Sequence, residues 1–289
     1  MIIALVSLYN PDETVKKNIL QISDQVDTVF LCDNSSRNNK TMFIQIPKVR
    51  YVFNGKNLAL SSAFNKVLKN TDIFDWSDND FVIFFDQDSS IKPGHINSLI
   101  CEYKFLYSQG YKVGCIGPVY FNRSINKLAI PRIKEKISSN SYIVKSIITS
   151  SMIVKYSTLK EINFWNENLF LDLADWDLCW RLMAKKYICI ETKAAILSHA
   201  VGDGYKRFAF FKVAQSSVIR EYYQTRNYLY LLFKPYVPFK YKLGFIRNLL
   251  IRPILHYFVF EDGKKRLQYV FDGYKDYRNG YFGEYIPKE

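Results

Sequence analysis

Residues 80–90, DFVIFFDQDSS, contain the strongest structural signal in the chain. The apolar β-formers at 81–85 predict a fully buried strand of the kind found inside parallel sheets. Two carboxylates, Asp86 and Asp88, follow it. Ligands of open α/β sheets bind at the carboxyl ends of strands, and carboxylate oxygens suit a hard divalent cation that holds a diphosphate. A strand followed by a polar turn is the simpler alternative.

On both sides of this stretch, apolar runs alternate with segments of helical character. Strands are predicted at 2–9, 28–32, 49–53, 113–116, 146–154 and 188–197, and helices at about 11–25, 58–69, 96–109 and from about 174. This alternation indicates right-handed βαβ units and a mostly parallel sheet. Gly117-Pro118 is expected to end one strand, and 120–140 is expected to contain little strand. Polar residues end each strand and would meet at one edge.

Length and composition limit the class of protein. The chain of 289 residues fits one large domain, or one domain with an appendage, and its 48% hydrophobic content excludes a disordered protein. Lys and Arg number 40 against 27 Asp and Glu, a net charge of +13. The excess suggests an anionic partner, which would be nucleic acid, a phosphorylated substrate or an anionic membrane surface.

The cysteines and the apolar runs indicate a cellular location. The five cysteines are scattered without a C-x-x-C pair, which predicts reduced core residues of a cytoplasmic protein and makes a zinc site improbable. The chain starts directly on a strand, so no signal peptide is expected. No apolar run approaches the roughly 18 residues of a membrane-spanning helix.

Residues 172–181, DLADWDLCWR, contain three acids among large apolar side chains. If a helix begins near Ala174, Asp175 and Asp177 lie in its first turn, where the helix dipole favours anions. Asp177 and Arg181 are four residues apart and can pair. The simpler interpretation is that Asp172 or Asp175 is the helix N-cap. The alternative is a partly buried carboxylate facing a cavity, which is a candidate general base.

The three histidines have different settings. His95 falls in the first turn of a predicted helix and is expected at the surface. His256, among aromatics, is expected to be an interfacial or packing residue. His199 follows an apolar strand and precedes a glycine-containing loop, where site residues gather. A core histidine bonded to backbone and a metal ligand beside Asp88 both fit His199.

The sequence changes character after about residue 210. Aromatic and basic residues interleave on helical spacing, and an amphipathic segment follows at 240–251. Such a segment would lie on an anionic membrane, or it would cap the preceding domain and bury its aromatics. The phosphate-binding motifs G-x-x-x-x-G-K-[ST] and G-x-G-x-x-G do not occur.

A series of short stretches, each weak alone, occurs in an order that resembles the family 2 glycosyltransferases of GT-A fold, and in particular their bacterial rhamnosyltransferase-like branch in O-antigen and capsule synthesis. The stretches are 6–11, 32–36, 57–65, 85–89, 148–151, 171–181, 199–203 and 220–227. The resemblance implies a Rossmann-like domain at 1–230. Its nucleotide-sugar half would be about 1–118 and its acceptor half about 119–230, and 231–289 would be a helical, basic and aromatic extension.

The resemblance also implies roles for individual residues. Asp175 would deprotonate the acceptor, and Asp88 with His199 would bind Mg²⁺ or Mn²⁺. The nucleotide and donor contacts would be Ser7, Tyr9, Asp33, Asn57, Asp86, Gln87, Arg220, Tyr223 and Arg226. The acceptor-side or supporting residues would be Ser150, Ser151, Trp176, Asp177 and Arg181. Asp33 would bond the base, and Asp86 the ribose or donor sugar.

Some positions depart from the family pattern. Ala59, Val67 and Ser151 stand where glycine is usual, and Ala174 replaces the first acid of an acid–Asp pair.

The expected function is that of an inverting, metal-dependent glycosyltransferase. dTDP-L-rhamnose is the favoured donor, and the acceptor would be a polysaccharide on a polyprenyl diphosphate lipid. The enzyme would lie peripherally on the inner face of the cell membrane. The alternatives are a UDP-sugar donor (galactofuranose or hexose), a glycosyltransferase fold that only binds sugar nucleotide, and a basic nucleic-acid-binding protein without enzyme activity.

Overall fold

The structure is a computed structural model that describes residues 1–122, 127–129, 135–199, 205–208, 211–214 and 216–287. Its strands are β1 (Ile2–Leu8), β2 (Thr28–Asp33), β3 (Val49–Phe53), β4 (Phe81–Asp86), β5 (Val113–Asn122), β6 (Lys127–Ala129), β7 (Glu135–Lys136), β8 (Ser141–Val144), β9 (Met152–Lys155), β10 (Ile188–His199), β11 (Tyr205–Phe208) and β12 (Phe211–Ala214). Its helices are α1 (Thr14–Ser23), α2 (Lys40–Phe43), α3 (Ala59–Leu68), α4 (His95–Ser108), α5 (Tyr156–Glu161), α6 (Ala174–Ala184), α7 (Arg220–Leu232), α8 (Phe239–Leu250), α9 (Arg252–Val259) and α10 (Gly263–Arg278).

One central sheet organises the chain, in the strand order β3-β2-β1-β4-β9-β5-β10-β8-β7, with β6 paired to β5. Strands β1 to β4 are parallel, as are β5 and β10, while β9 runs antiparallel between β4 and β5. The predicted α/β fold, a largely parallel sheet flanked by helices, is confirmed.

The core lies on both faces of this sheet because successive side chains of a strand point to opposite faces. Ile3 and Leu5 of β1 belong to the cluster that contains Phe64 of α3. Ala4 and Val6 belong to the opposite cluster, together with residues of α1 and α4. The near-continuous apolar strands of the sequence are therefore those covered by helices on both sides.

Strand β5 is longer than predicted, because Pro118 does not end it. In the pairing with β10, Pro118 is opposite Thr192 and Val119 is opposite Ile196, so β10 contains extra residues at this point. Proline lacks an N–H to donate, and a bulge in the partner strand accommodates that loss. The pairing then continues to Asn122, which extends the strand beyond the predicted stop.

Strand β9 is shorter than predicted, since it begins at Met152 and not at Ser146. Ser151 has a left-handed backbone with φ of 68°, and its N–H donates to the Phe84 carbonyl over 2.7 Å. This turn places residues 149–151 at the carboxyl end of β4.

The prediction that His95 lies at the surface is wrong. Its side chain is 5% exposed, and Nε2 lies 2.7 Å from the Ser151 Oγ. Burial lowers the pKa of His95 to about 4. The first turn of α4 packs against the loop that contains Ser151. A position in the first turn of a helix does not reveal such a contact from sequence.

The cysteines are free, but they are not all core residues. Cys101 on α4 is exposed, whereas the other four are buried. Cys115, Cys179 and Cys189, from three separate elements, have sulfur atoms within 4.8 Å of one another. Separations of this size in sequence give no indication of such proximity.

The C-terminal helices pack on the α/β domain and on each other. Phe245 of α8 contacts Trp180 of α6, with ring centroids 6.1 Å apart. Helix α10 lies so close to α7 that a Cβ on Gly273 would be 2.5 Å from the Tyr222 carbonyl oxygen. This contact crosses the predicted boundary at residue 230. Among the helices that are described, none has the length and apolar character needed to cross a membrane.

Candidate active site

The carboxyl ends of three adjacent parallel strands meet at one edge of the sheet. Ser7 of β1 lies opposite both Cys32 of β2 and Asp86 of β4. Leu8 is paired with Asp33. The expectation that the polar strand ends converge therefore agrees with the strand register.

A cleft of about 590 Å³ opens at this edge, between the strand ends and the start of α6. Six of the residues proposed from the sequence line it, namely Ser7, Tyr9, Asn57, Asp86, Asp175 and Trp176. The sequence reasoning did not assign a site role to other residues of its lining, which include Asn34, Thr149, Phe170, Asp172, Leu173, Gln224 and Tyr228.

Asp175 lies in the first turn of α6, on the wall of the cleft. The pKa of Asp175 is raised to about 7, mainly by burial and also by the nearby Cys179 and the carboxylates of Asp172 and Asp86. A backbone hydrogen bond from Trp176 acts in the opposite direction and lowers it. That bond joins the Trp176 N–H to Asp175 Oδ1 over 2.9 Å. A carboxylate with this pKa can accept a proton near neutral pH.

The segment before α6 is held in an unusual backbone conformation. Asp172 and Leu173 have φ values of 62° and 66°, and neither is glycine. Such residues cost about 1–3 kcal/mol each and persist only where the surroundings hold them. Arg220 and Gln224 of α7 each donate to the Asp172 carboxylate over 2.8 Å. These bonds fix the loop that presents Asp175.

Helix α7 supplies a face to this side of the cleft. Arg220, Gln224 and Tyr228 recur every four residues, so they lie along one side of the helix. Gln224 and Tyr228 line the cleft. Arg220 does not line it but donates a hydrogen bond to Asp172, which does. This spacing was the sequence signal for the two missed residues, but it was hidden among the other polar and aromatic residues of the helix.

Asp86 and Asp88 form a like-charged pair at the end of β4. Burial, and then the neighbouring charge of Asp88, raise the pKa of Asp86 to about 6. Within the described ranges, neither carboxylate forms an ion pair. Oxygen ligands of this charge fit a divalent cation, which would supply the positive charge that the pair lacks.

The end of β10 comes close to this acidic pair. Ser90 forms an isolated antiparallel bridge with Ser198, which brings the backbone next to His199 near the turn after Asp88. The side chain of His199 lies outside the described residues.

Gln87 holds two strand ends together. Its Oε1 accepts from the Tyr9 N–H over 2.8 Å, and its Nε2 donates to the Tyr9 carbonyl over 3.2 Å. Both polar ends of the amide are used on the backbone, which leaves the Tyr9 ring 51% exposed at the cleft.

Asp33 is fully buried beside the cleft, not on its lining. Its carboxylate accepts from the Ser35 N–H over 2.9 Å, from Asn39 Nδ2 over 3.0 Å and from the Tyr51 hydroxyl. Burial, and then the bond to Asp33, raise the pKa of Tyr51. Asn34 is the residue of this loop that reaches the cleft.

Two of the departures from glycine occur where the backbone is left-handed, with φ of 59° at Ala59 and 68° at Ser151. The Asn57 Oδ1 accepts from the Ala59 N–H over 2.9 Å and so supports the first of these turns. Ser150 and Ser151 are buried, with hydroxyls bonded to Ser89 and His95. They lie behind the cleft, and Thr149 lines it instead.

Asp177 and Arg181 form a buried pair that anchors α6. Arg181 Nε lies 2.6 Å from Asp177 Oδ2, and the Tyr236 hydroxyl donates to Asp177 Oδ1 over 2.6 Å. Arg181 Nη1 also donates to the Phe164 carbonyl over 2.7 Å. Their contacts stabilise the helix that carries Asp175.

Arg226 and Tyr223 are not brought to the cleft. The guanidinium of Arg226 is fully buried and donates to the Gly283 carbonyl over 2.7 Å. Its Cζ also lies 5.0 Å from the ring centroid of Tyr222. The Tyr223 hydroxyl accepts from the Tyr285 N–H over 2.9 Å. The C-terminal segment thus occupies both side chains, although the resemblance implied donor contacts for them.

Comparisons with known proteins bear on the fold and the family. Residues 4–138 match the family Glycosyl transferase family 2. The chain also superposes on a solved structure described as GalNAc-T7 with UDP, GalNAc and Mn²⁺, with a TM-score of 0.55 and 10% identity. The superposition covers 97% of this chain and 57% of that one. The fold is therefore GT-A. Residues 4–138 form a domain that matches glycosyltransferase family 2.

Within that family, the chain resembles the dTDP-rhamnosyl transferase RfbF of Shigella flexneri. The two are 26% identical over 283 residues, which covers 93% of this chain and 91% of the relative. The predicted resemblance to family 2 glycosyltransferases and to their rhamnosyltransferase-like branch is confirmed.

Proposed function

We propose that this enzyme transfers L-rhamnose from dTDP-L-rhamnose to a saccharide hydroxyl with inversion at the anomeric carbon. One observation carries the proposal. Asp175, with a pKa of about 7, lines the same cleft as Asp86 at the end of β4. The cleft thus has a candidate general base on one wall and Asp86, the first acid of the strand-end pair, on the other. The similarity to a dTDP-rhamnosyl transferase supports the choice of donor.

In the proposed reaction, the acceptor oxygen forms a bond to the anomeric carbon as the bond from that carbon to the diphosphate oxygen breaks. The proton of the acceptor hydroxyl goes to Asp175, and the nucleoside diphosphate leaves with the bonding electron pair. Ser7, Tyr9 and Asn57 would line the nucleotide side, and Asp86 would contact the ribose or donor sugar.

The residues at the end of β4 fit a divalent cation, Mg²⁺ or Mn²⁺, held by Asp88 with His199. A solved protein of the same fold is described with Mn²⁺ and UDP, which supports a divalent metal. When bound, the cation would stabilise the charge of the departing diphosphate. That neighbour also supports the alternative donor, a UDP-sugar carrying galactofuranose or another hexose.

The proposed acceptor is a growing polysaccharide on a polyprenyl diphosphate lipid, in O-antigen or capsule synthesis. The enzyme would then work at the inner face of the cell membrane as a peripheral protein. No nucleic-acid partner is proposed, because Arg226, in the basic and aromatic part of α7, points into the protein and not toward solvent.

A donor screen tests this function. Purified enzyme and a soluble saccharide acceptor are incubated with dTDP-L-rhamnose, UDP-galactose or UDP-galactofuranose, each with Mn²⁺, Mg²⁺ or EDTA, and release of nucleoside diphosphate is measured. We expect release from dTDP-L-rhamnose only with a metal. Removing the base in Asp175→Asn is expected to lower transfer to acceptor on the order of 10²–10⁴-fold. Asp88→Asn is expected to raise the metal concentration needed.

Asp75→Asn, the same chemical change at an exposed acid away from the cleft, is the matched control and should retain full activity. Full activity of Asp175→Asn would disprove the proposed mechanism. Release from a UDP-sugar alone would instead select the alternative donor.

A further inference from the structure

An exposed apolar surface runs along α8 and α9. Its residues are Phe239, Leu243, Ile246, Leu250, Ile254 and Phe258, which we call the α8–α9 stripe. Their exposure ranges from 41% for Ile246 to 74% for Phe239. Successive members are three or four residues apart, which places those of each helix on one face. Contiguous exposed apolar surface of this kind indicates an interaction site.

The opposite faces of the same helices are packed against the protein. Phe245 is 3% exposed, and its ring lies 4.9 Å from that of Tyr228. Tyr241 contacts Trp180 at 4.9 Å. On α9, His256 is buried and its Nδ1 donates to Glu221 over 2.7 Å. The helices therefore have fixed orientations, and the stripe points away from the body of the protein.

Basic residues border the stripe on α8. At 100° per residue, Lys240 and Arg247 fall on one side of the line through Phe239 and Leu250, and Lys242 falls on the other. An apolar face flanked by Lys and Arg is the arrangement of helices that lie in a lipid interface, where the apolar side chains enter the acyl boundary and the cations meet anionic headgroups.

We propose that the α8–α9 stripe is a docking surface for an anionic lipid bilayer. Its charge distinguishes this occupant from a second copy of the chain. Residues 239–259 contain no Asp or Glu, so a twofold contact through the stripe would bring two basic borders together without a carboxylate between them. Anionic lipid headgroups would instead be attracted to Lys240, Lys242 and Arg247.

The stripe is structurally connected to the active site. Tyr241 of α8 packs on Trp176 with ring centroids 5.3 Å apart, and Trp176 lines the cleft next to Asp175. Docking of α8 and α9 would therefore hold the cleft at a fixed distance from the bilayer. The benefit of this arrangement for a lipid-linked acceptor rests on the proposed function, whereas the docking itself does not.

Vesicle co-sedimentation of the full chain tests the docking. We expect the protein to sediment with vesicles of phosphatidylcholine and phosphatidylglycerol, and much less with phosphatidylcholine alone. The double variant Phe239→Ser, Phe258→Ser should weaken binding on the order of tenfold or more, since two large apolar side chains are lost from the interface. The triple change Lys240→Glu, Lys242→Glu, Arg247→Glu should abolish the preference for anionic lipid.

The matched control is Ile44→Ser, Phe105→Ser, at two exposed apolar residues far from α8 in the chain. It should bind like the unmodified protein. Failure of the unmodified protein to bind anionic vesicles would overturn the proposal, as would equal binding of the stripe variant and the control. A dimer in light scattering that only the stripe variant disrupts would overturn it in favour of a second copy.

Transfer to a soluble acceptor separates this proposal from the proposed function. The stripe variant should retain transfer to a soluble acceptor while losing vesicle binding. If the unmodified protein binds vesicles but transfers no sugar, the docking surface stands and the proposed function fails.

Discussion

Glu221 and the acids of the cleft have opposite electrostatic surroundings. Glu221 on α7 is 3% exposed, and His256, Arg252 and Arg266 all contact its Oε1. Burial alone would raise its pKa, but the bond from His256 and the arginine charges outweigh burial and hold the pKa below its usual value. In the cleft, burial and neighbouring carboxylates raise the pKa of Asp86 to about 6 and of Asp175 to about 7.

The difference separates a charge that is balanced within the protein from charges that are not. Glu221 joins α7, α9 and α10, and its charge is balanced by residues of the same chain. The acids of the cleft lie among like charges, so they have capacity left for a proton or a cation that arrives from outside. Perturbation of this kind clusters at functional sites, although ion-pair networks can also cause it.

The largest expected effect is on the free energy of unfolding, through loss of the Glu221 carboxylate. Glu221→Gln removes the carboxylate that balances His256, Arg252 and the buried Arg266. Breaking a buried ion pair from one side costs about 3–5 kcal/mol. Urea unfolding should show that loss in the free energy of unfolding. Glu13→Gln, at an exposed pair with Lys16, is the control and should change the free energy of unfolding by about 0.5 kcal/mol or less. Equal losses at the two sites would show that Glu221 stabilises the fold no more than an exposed ion pair does.

The next effect is on activity as a function of pH. Asp175 must be ionised to accept a proton, so kcat/KM should fall about tenfold per unit as pH drops below about 7. Initial rates, measured with thermal unfolding at each pH to confirm that the protein stays folded, check this. Asp172→Asn removes a like charge and should move the acid limb to lower pH. A limb that stays in place would show that another group controls the rate.

The smallest effect is on stability at the cleft, and its sign is opposite to that at Glu221. Because the folded pKa of Asp175 is raised, ionisation of this group reduces stability as pH rises from about 4 to about 7. Asp175→Asn removes that penalty. Its free energy of unfolding relative to the unmodified protein should therefore be about 2–3 kcal/mol more favourable near pH 8 than near pH 5. Urea titrations at both pH values measure this, and a difference independent of pH would contradict the raised pKa.

Much of the fold could be predicted from sequence because buried parallel strands are continuous apolar runs. Strand β4 and the paired carboxylates after it were located in this way, as was the start of α6 near Ala174. The failures came from long-range contacts. Pro118 remains inside β5 because β10 bulges opposite it, and His95 is buried because its helix packs on the loop that contains Ser151.

The site was predicted in part for the same reason. Strand ends converge by the geometry of a parallel sheet, so Ser7 and Asp86 could be grouped without coordinates. Gln224 and Tyr228 could not be assigned, since their place in the cleft depends on how α7 packs against the loop at Asp172. Arg226 is the opposite example. The sequence assigned it to the site, but in the structure it is bonded to the C-terminal segment and does not reach the cleft.

The sequence by itself determined the alternation of strands and helices, the acidic pair at the end of β4 and the family, because these depend on local composition and on order along the chain. Only the tertiary structure decided which charges are balanced within the protein and which face the cleft. It also separated the packed from the exposed sides of α8 and α9. Charge balance and exposure depend on neighbours that are distant in sequence, and the packing of the helices on the sheet selects those neighbours.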